Sequence, residues 1–276
     1  MKIKIFLFTL VCLATTACDH ISDDDRLIYV EPTQQDSIED DSTATSVLRN
    51  VLLEDFTGQM CVNCPRGTEV IEQMQEAYGD RLIAVGIHGG PLGFKGNTSA
   101  TGLATDLGDE YYNHWQLEYQ PVGLVNRHGA VNYPDWMTKV REEMAQPSTV
   151  SMSLEASING NQITIHVKET SLDGHYDGTL QVWVLEDSIT ATQKRHEPID
   201  NDNVTINDKN YVHNHVLRTA VNGNWGEAIT LTTNEPKTHT YQQTVDEKWN
   251  KAHLSVVAFV YNSNGVEQTV KTKITQ

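Results

Sequence analysis

The residues from Val51 to Gly67 restrict the possible folds more than any other part of the sequence. They begin with an apolar, β-prone run, continue through a turn that contains Gly58, and place Cys61 and Cys64 three positions apart before Pro65. Such a run fits a strand buried on both faces, and proline is best tolerated in the first turn of a helix. The stretch therefore predicts a strand followed by a helix, with both cysteines at the helix N-terminus.

The segments that follow continue this alternation of strand and helix. The predicted elements are the strand 47–56, the cysteine helix ending at residue 79, the strand 81–88, a helix over 100–117, the strand 121–127, a hairpin strand at 130–133 and a helix over 134–145. Strand–helix–strand units form parallel pairs, and a hairpin adds an antiparallel strand. We therefore predict an α/β domain over residues 46–147, with a mixed sheet and helices on both faces.

Beyond residue 147 the hydrophobic period changes from 3.6 to two. Apolar and polar residues alternate over 150–158 and 163–168, and turn residues separate several further apolar runs. Roughly seven short strands with turns between them indicate an antiparallel sandwich of the immunoglobulin-like kind. We therefore predict an all-β domain over residues 148–276, with the polar stretch from Ser188 to Tyr211 as a loop at one end.

The N-terminus is typical of an exported protein. Two lysines precede an apolar run over residues 5–14, and small residues lead to Cys18. This pattern predicts a signal peptide over residues 1–17. Residues 15–18 resemble the lipobox of bacterial lipoproteins, which implies a lipid on Cys18; the alternative is an ordinary signal peptide that leaves Cys18 free. Residues 18–45 are acidic and lack hydrophobic periodicity, which predicts a flexible tether.

The acidic run at 22–25 resembles the signal that directs lipoproteins of Bacteroidota to the outer face of the outer membrane. The resemblance implies an outer-membrane location, with a lipid anchor in the membrane and exposure at the cell surface. The net charge of −17 argues against nucleic acid as a partner, because phosphate binding requires clustered Lys and Arg. The sequence has no Gly-rich phosphate loop, and we predict no cofactor.

The cysteine pair supports three hypotheses. In the first, the pair exchanges disulfides with a protein or peptide that carries a thiol or disulfide. The dipole at a helix N-terminus favours a thiolate, so Cys61 would attack and Cys64 would resolve the mixed disulfide. Alternatively, the pair is a structural disulfide in a surface binding or adhesion protein. In the third, Cys61, Cys64 and His88 bind a metal, although a loop histidine bonded to the backbone is the simpler interpretation of His88.

His213 and His215 are two positions apart, which would place both rings on one face of a strand. Such a pair is half of a metal site, or simply two solvated strand histidines. No third ligand is evident beside them, so we assign no metal site.

The order of elements around the cysteines resembles the thioredoxin fold. Asp55 matches the buried acid that thioredoxins keep beneath their disulfide, and Pro121 matches their cis-proline. The resemblance implies that Asp55 assists proton transfer, and that Gln120 and Pro121 pair with an extended substrate. The exchange hypothesis requires Cys61 to be reachable and Pro121 to be cis and close to the sulfurs.

A longer set of motifs is similar to the Omp-twenty-eight-related outer-membrane lipoproteins of Bacteroidota. The motifs are Glu-Asp-Phe-Thr-Gly-x-x-Cys-Val-Asn-Cys-Pro, Pro-x-Gly-x-Val-Asn-Arg and Tyr-Val-His-Asn-His-Val-Leu-Arg. The resemblance implies a surface or outer-membrane lipoprotein with a thioredoxin-like domain and a β-sandwich. For this family an adhesin role has been suggested.

Overall fold

The computed structural model describes residues 45–275 of the chain. The predicted signal peptide, the predicted lipidation site Cys18 and nearly all of the predicted tether lie outside these residues. No helix within residues 45–275 is long and apolar enough to cross a membrane.

The described part of the chain consists mainly of strands. Its α-helices are α1 (Cys64–Tyr78), α2 (Asp106–His114) and α3 (Trp136–Met144). Its strands are β1 (Val47–Leu48), β2 (Val51–Thr57), β3 (Leu82–His88), β4 (Val122–Val125), β5 (Ala130–Asn132), β6 (Pro147–Ser148), β7 (Val150–Asn159), β8 (Gln162–Ser171), β9 (Tyr176–Glu186), β10 (Ile189–His196), β11 (Thr205–His213), β12 (Val216–Ala220), β13 (Glu227–Leu231), β14 (Lys237–Thr244), β15 (Leu254–Asn262) and β16 (Gly265–Lys273).

The largest sheet contains strands from both halves of the sequence. Its order is β16-β15-β9-β12-β3-β2-β4-β5, and β13 also pairs with β9. β2 and β3 are parallel and are connected through α1, whereas β4 pairs antiparallel with β2. β12 joins the two halves, because it lies parallel to β3 and antiparallel to β9.

The sequence predicts separate sheets on the two sides of residue 147, and the structure instead has one sheet that includes strands from both sides. Every residue of β3 is buried. An unpaired edge on this strand would leave buried backbone groups without partners, which is costly. The N–H of Gly86 in β3 donates to the carbonyl oxygen of His215 at 2.8 Å, and Val216 is aligned with Gly86. β12 therefore supplies the partner that β3 requires.

Helices cover both faces of β2 and β3. On one face, Val51 and Leu53 pack in a cluster with residues of α1 and α3. On the other face, Leu52 and Phe56 pack with Tyr111 of α2. Successive residues of a strand point to opposite faces, so continuously apolar strands such as these are expected between two layers.

β9 and β15 are also buried on both faces and take part in two cores. Val182 and Val184 pack with residues of β7 and β8 from the three-stranded sheet β14-β8-β7. Trp183 and Leu185 pack with β2 and β3 on the other side. Alternate residues of one strand thus connect the two cores.

The stretch from Ser188 to Tyr211 is not a loop, and this prediction is wrong. It contains most of an antiparallel hairpin formed by β10 and β11, in which Ile189 is aligned with His213 and His196 with Thr205. The side chains of β10 that are buried are small or polar: Ala191, Gln193 and His196. Their pattern carries almost no hydrophobic signal, which explains why the strands were not predicted.

The second helix is shorter than predicted. α2 begins at Asp106, because the side-chain oxygen of Thr105 accepts a hydrogen bond from the Gly108 N–H at 2.9 Å and caps the helix. Residues 100–105 form a connection in which the Ala104 N–H donates to the carbonyl of Phe94 at 3.0 Å. The same connection contacts the turn that precedes Cys61, because the Leu103 N–H donates to the side-chain oxygen of Gln59 at 2.8 Å.

Candidate functional site

A disulfide between Cys61 and Cys64 lies where β2 passes into α1. The Cα atoms of the two residues are 5.4 Å apart. The Cys61 N–H donates to the carbonyl of Gly58 at 3.0 Å and closes the turn after β2. Gly58 is required here, because a Cβ atom at this position would overlap the carbonyl oxygen of Leu92. α1 then begins at Cys64, with Pro65 in its first turn, as the sequence predicts.

Both cysteines are buried. Cys61 is 1% exposed and Cys64 is 2% exposed. The expectation that Cys61 is reachable from solvent is therefore wrong for the conformation described. A partner thiolate could reach this disulfide only after a part of the protein has moved.

The hairpin formed by β10 and β11 lies against the cysteine turn. The Gln193 side-chain amide donates to the carbonyl of Cys61 at 2.8 Å and to that of Gly58 at 3.2 Å. The next residue, Lys194, donates its N–H to the carbonyl of Gln59 at 2.8 Å. In return, the Gln59 side chain donates to the carbonyl of Thr192 at 2.8 Å. The contacts between the hairpin and the cysteine turn are thus hydrogen bonds with backbone groups.

A second contact holds the far end of the hairpin. Arg66 in the first turns of α1 donates from Nε to the carbonyl of Ile199 at 2.9 Å and forms an ion pair with Asp202. The apolar cluster under the hairpin is small: Ala191 and Ile189 of β10 pack with Leu103 and with Val216 of β12. The hairpin forms its own two-stranded sheet and is not an extension of the large one.

A small cavity of about 30 Å³ adjoins Cys64. Asp55 of β2 lines it, is 4% exposed, and has no hydrogen-bond partner at Oδ1. Burial raises the pKa of Asp55 from 3.8 to about 8, because removal from water penalises the charged form. Asp55 is therefore mainly protonated at neutral pH. A polar cavity of this size has room for one or two water molecules.

Two neutral histidines line the same cavity. The ring centroids of His88 in β3 and His213 in β11 are 5.3 Å apart. Burial lowers the pKa of His213 to about 4, and burial together with His213 and Arg218 lowers the pKa of His88 well below its ordinary value. Neither His88 Nδ1 nor His213 Nε2 has a hydrogen-bond partner.

His213 and His215 do not share a strand face, and this prediction is wrong. β11 ends at His213, and His215 has a positive φ of 48° in the turn before β12. The backbone N–H of His215 donates to the carboxylate of Asp187 at 2.6 Å, which holds the turn. Within residues 45–275, no group of three or more His, Cys, Asp or Glu residues is arranged to hold a metal ion.

The peptide bond between Gln120 and Pro121 is cis, as predicted. Pro121 lies beside α1, since a Cβ atom on Gly67 would be 3.4 Å from Pro121 Cβ. The Gln120 side chain donates to the carbonyls of Thr57 at 2.7 Å and Gly89 at 3.0 Å. Gln120 therefore connects the ends of β2 and β3, and its role in substrate binding stays a prediction.

A buried ion pair on the residue of β2 adjacent to Asp55 has no signal in the sequence pattern. Arg127 donates from Nε to one carboxylate oxygen of Glu54 and from Nη2 to the other, both at 3.1 Å, and both side chains are almost fully buried. The guanidinium lies over the rings of Phe259 and Tyr261, at 4.8 and 4.3 Å from their centroids. The pair therefore links β2 and the end of β4 to β15.

Comparison with known families identifies the relationship of this chain. The family described as outer membrane protein Omp28 matches residues 108–276, which is more than half of the sequence. The chain belongs to the Omp28 family. Its location is accordingly the outer membrane. The Omp28 match includes the cis-proline, Arg127 and the whole hairpin, but it begins after both cysteines.

Solved structures add a fold relationship to the Omp28 assignment. HBP35 of Porphyromonas gingivalis is 17% identical, with a TM-score of 0.64 over 84% of this chain and 77% of HBP35. A domain of the outer membrane lipoprotein Omp28 from Porphyromonas gingivalis is 26% identical, with a TM-score of 0.32 over 46% of this chain and 89% of that domain. No curated protein matches the sequence. The likeness to HBP35 shows a shared fold and no more.

The residues around the disulfide come from distant parts of the chain. Several of them lie within the Omp28 match and are not among the site residues predicted from the sequence. Gln193 and Tyr211 of the hairpin line the cavity at Cys64. One signal was available: Tyr211 and His213 belong to a motif that was noted for its family resemblance. Its distance from the cysteines in sequence concealed its position beside them.

Proposed function

We propose that this outer-membrane protein carries a thioredoxin-like thiol–disulfide exchange site that the hairpin covers at rest. The observation that carries the proposal is the set of groups that surround the Cys61–Cys64 disulfide. The disulfide lies at the N-terminus of α1, and Asp55 is buried and protonated in the cavity beside Cys64. The cis-proline Pro121 packs against the same helix at Gly67. A protonated carboxyl group beside the sulfurs can give a proton to a leaving thiolate, which a disulfide that only braces a fold does not require.

The arrangement of elements supports a thioredoxin-like domain. Parallel β2 and β3 are connected by α1, and β4 and β5 form an antiparallel hairpin beside β2. α1 and α3 cover one face, and α2 covers the other. We assign this domain to residues 46–147 and a β-sandwich to residues 148–276, with β12 of the second segment completing the sheet of the first. Cys18 would carry the lipid anchor and the tether would present both at the cell surface.

The chemistry is an exchange of two electrons between a partner dithiol and the disulfide. A thiolate of the partner attacks Cys61 Sγ, the Cys61–Cys64 bond breaks, and Cys64 leaves as a thiolate. Asp55 is placed to give that thiolate a proton, because it is protonated at neutral pH and lines the cavity at Cys64. The second thiol of the partner then attacks the mixed disulfide, which releases Cys61 and leaves the partner oxidised.

This reaction requires the hairpin to move. Its contacts with the cysteine turn are hydrogen bonds from Gln193 and Lys194 and to Thr192, and it has no strand partner in the large sheet. A segment with few apolar contacts opens locally at a lower free energy than the core. An extended segment of a partner could then approach Cys61 on the side that Gln193 and Lys194 of the hairpin now occupy.

A second candidate function has an observation in its favour. The near-complete burial of Cys61 and Cys64 is what a structural disulfide requires. In that case the protein is a surface binding or adhesion protein, and the disulfide fixes the turn against which the hairpin packs.

A redox titration of the purified protein separates the two. Equilibration with glutathione or dithiothreitol, followed by thiol alkylation and mass measurement, gives the reduction potential. We expect a value between about −270 and −120 mV, the range of exchange proteins, whereas a value below about −300 mV supports the structural disulfide.

Access to the disulfide is tested with Gln193→Ala. Loss of the bonds to Cys61 and Gly58, each worth about 0.5–1.5 kcal/mol, should raise the rate of reduction by dithiothreitol about tenfold. Gln242→Ala, at an exposed position of β14, is the control. If both variants are reduced at the wild-type rate, the hairpin does not control access.

A further inference from the structure

Three polar atoms of residues that line one cavity have no hydrogen bond to another protein group while the disulfide is formed. They are Oδ1 of Asp55, Nδ1 of His88 and Nε2 of His213. Asp55 and His88 belong to β2 and β3 of the large sheet, whereas His213 belongs to the hairpin. His213 is therefore the only one of the three whose position depends on whether the hairpin is closed.

Reduction of the disulfide changes the hydrogen-bonding groups that these atoms can contact in the cavity. A disulfide sulfur is a poor hydrogen-bond partner, whereas a cysteine thiol donates and a thiolate accepts. Reduction takes up two electrons and two protons, so Cys64 gains an S–H group beside the cavity. His213 is neutral because burial lowers its pKa to about 4, and a neutral ring nitrogen can accept from that S–H. Cys64 and His213 both line this cavity of about 30 Å³, so the contact is either direct or bridged by the one or two water molecules that the cavity can hold.

We propose that His213 is a positioning residue that couples closure of the hairpin to the redox state of the Cys61–Cys64 pair. The closed hairpin supplies a hydrogen-bond partner to reduced Cys64 and not to the disulfide. It therefore binds the reduced site more tightly than the oxidised one. Such coupling is reciprocal: closure stabilises the reduced pair and raises its reduction potential, and reduction holds the hairpin closed.

Further groups that face the two rings come from β10, β11 and β12, and they do not supply an alternative partner for His213 Nε2. Tyr211 lies on the same strand, with ring centroids 4.8 Å apart. Arg218 of β12 acts on His88 but is itself paired with Glu186 at 3.3 Å. The Ala191 backbone of β10 interacts with His213 and does not use Nε2.

This inference rests on the proposed function, and the test separates the two. The reduction potentials of wild type, His213→Phe, His213→Gln and the exposed control His175→Phe are measured by titration with glutathione. We expect His213→Phe to shift the equilibrium with glutathione about tenfold toward the disulfide, which for a two-electron couple is about 30 mV more negative. His213→Gln keeps a polar side chain and should lie closer to wild type, and His175→Phe should match wild type.

A wild-type potential below about −300 mV would refute the exchange function itself. A wild-type potential in the exchange range, with His213→Phe unchanged, would overturn the role of His213 alone.

Hydrogen exchange in the wild-type protein provides a test that needs no substitution. The amide of Lys194, which donates to Gln59 in the closed hairpin, should exchange several-fold more slowly after reduction of the disulfide. The amide of Leu53 in β2 is the internal reference. Equal or faster exchange at Lys194 after reduction would contradict the coupling, whatever the variants show.

Discussion

The replacement Asp55→Asn tests the energetic basis of the site without any assumption about function. Asp55 is 4% exposed, and burial raises its pKa from 3.8 to about 8. In the unfolded chain the carboxyl group loses its proton near pH 4, whereas in the folded protein it keeps the proton to about pH 8. Between these values the folded state binds one more proton than the unfolded state, so the free energy of unfolding falls as the pH rises.

The size of this effect follows from the same values. Each pH unit in the window costs about 1.4 kcal/mol, and the window from about pH 4 to pH 8 therefore accounts for about 6 kcal/mol at most. Asn has nearly the same shape and does not ionise. The free energy of unfolding of Asp55→Asn minus that of wild type should thus be constant below pH 4 and should increase through neutral pH by several kcal/mol.

Urea denaturation of the oxidised protein at pH 4.5, 6, 7 and 8.5, followed by circular dichroism, measures this difference. The exposed replacement Asp135→Asn is the matched control and should give a difference that is constant over the same range. The reasoning is refuted if the difference between Asp55→Asn and wild type changes by less than about 1 kcal/mol between pH 4.5 and pH 8.5, since ionisation of Asp55 would then cost little.

Two further predictions concern the stability of the structure around the site. Arg127→Met should lower the free energy of unfolding by about 3–5 kcal/mol, because it leaves Glu54 buried and unpaired. The double replacement with Glu54→Leu should recover much of this loss. A loss below about 1 kcal/mol for Arg127→Met in urea denaturation would contradict the prediction. Gly123→Ala would bring a Cβ atom to 2.6 Å from Cε2 of the buried Trp136 and should lower the stability of the folded protein by about 1–3 kcal/mol. Gly86→Ala should lower it less, because the nearest neighbours of its Cβ atom would be 3.6 Å away. Equal losses of stability in thermal unfolding would argue against the steric explanation.

The elements next to the cysteines could be predicted from the sequence because their signals are local. The apolar run of β2, the glycine after it and the proline after Cys64 each act within a few residues, and the structure has the strand, turn and helix there. The cis bond before Pro121 followed from the resemblance of the whole pattern and is present. Local chemistry was thus sufficient for this part of the site.

The cover over the disulfide could not be predicted, for a physical reason. The side chains of β10 that face inward include Gln193 and His196, which hydropathy places at the surface, so no period of two was visible. The Glu54–Arg127 pair could not be predicted for the same reason. Charged residues are expected at the surface unless they are paired, and here the two partners are 73 positions apart in the sequence. Polar groups that are buried through long-range partners leave no pattern along the chain.

The parallel pairing of β12 with β3 limits how the molecule can be divided. A fragment that ended at residue 147 would lose β12 and present the unprotected edge of β3, a completely buried strand, to other molecules. Exposed apolar edges of this kind associate with one another. The fragment 148–276 would in turn expose the side chains of Trp183 and Phe259 that β2 and β3 now cover. Each piece should therefore precipitate by itself, and the two produced together should assemble into a soluble protein whose hairpin again lies over the disulfide.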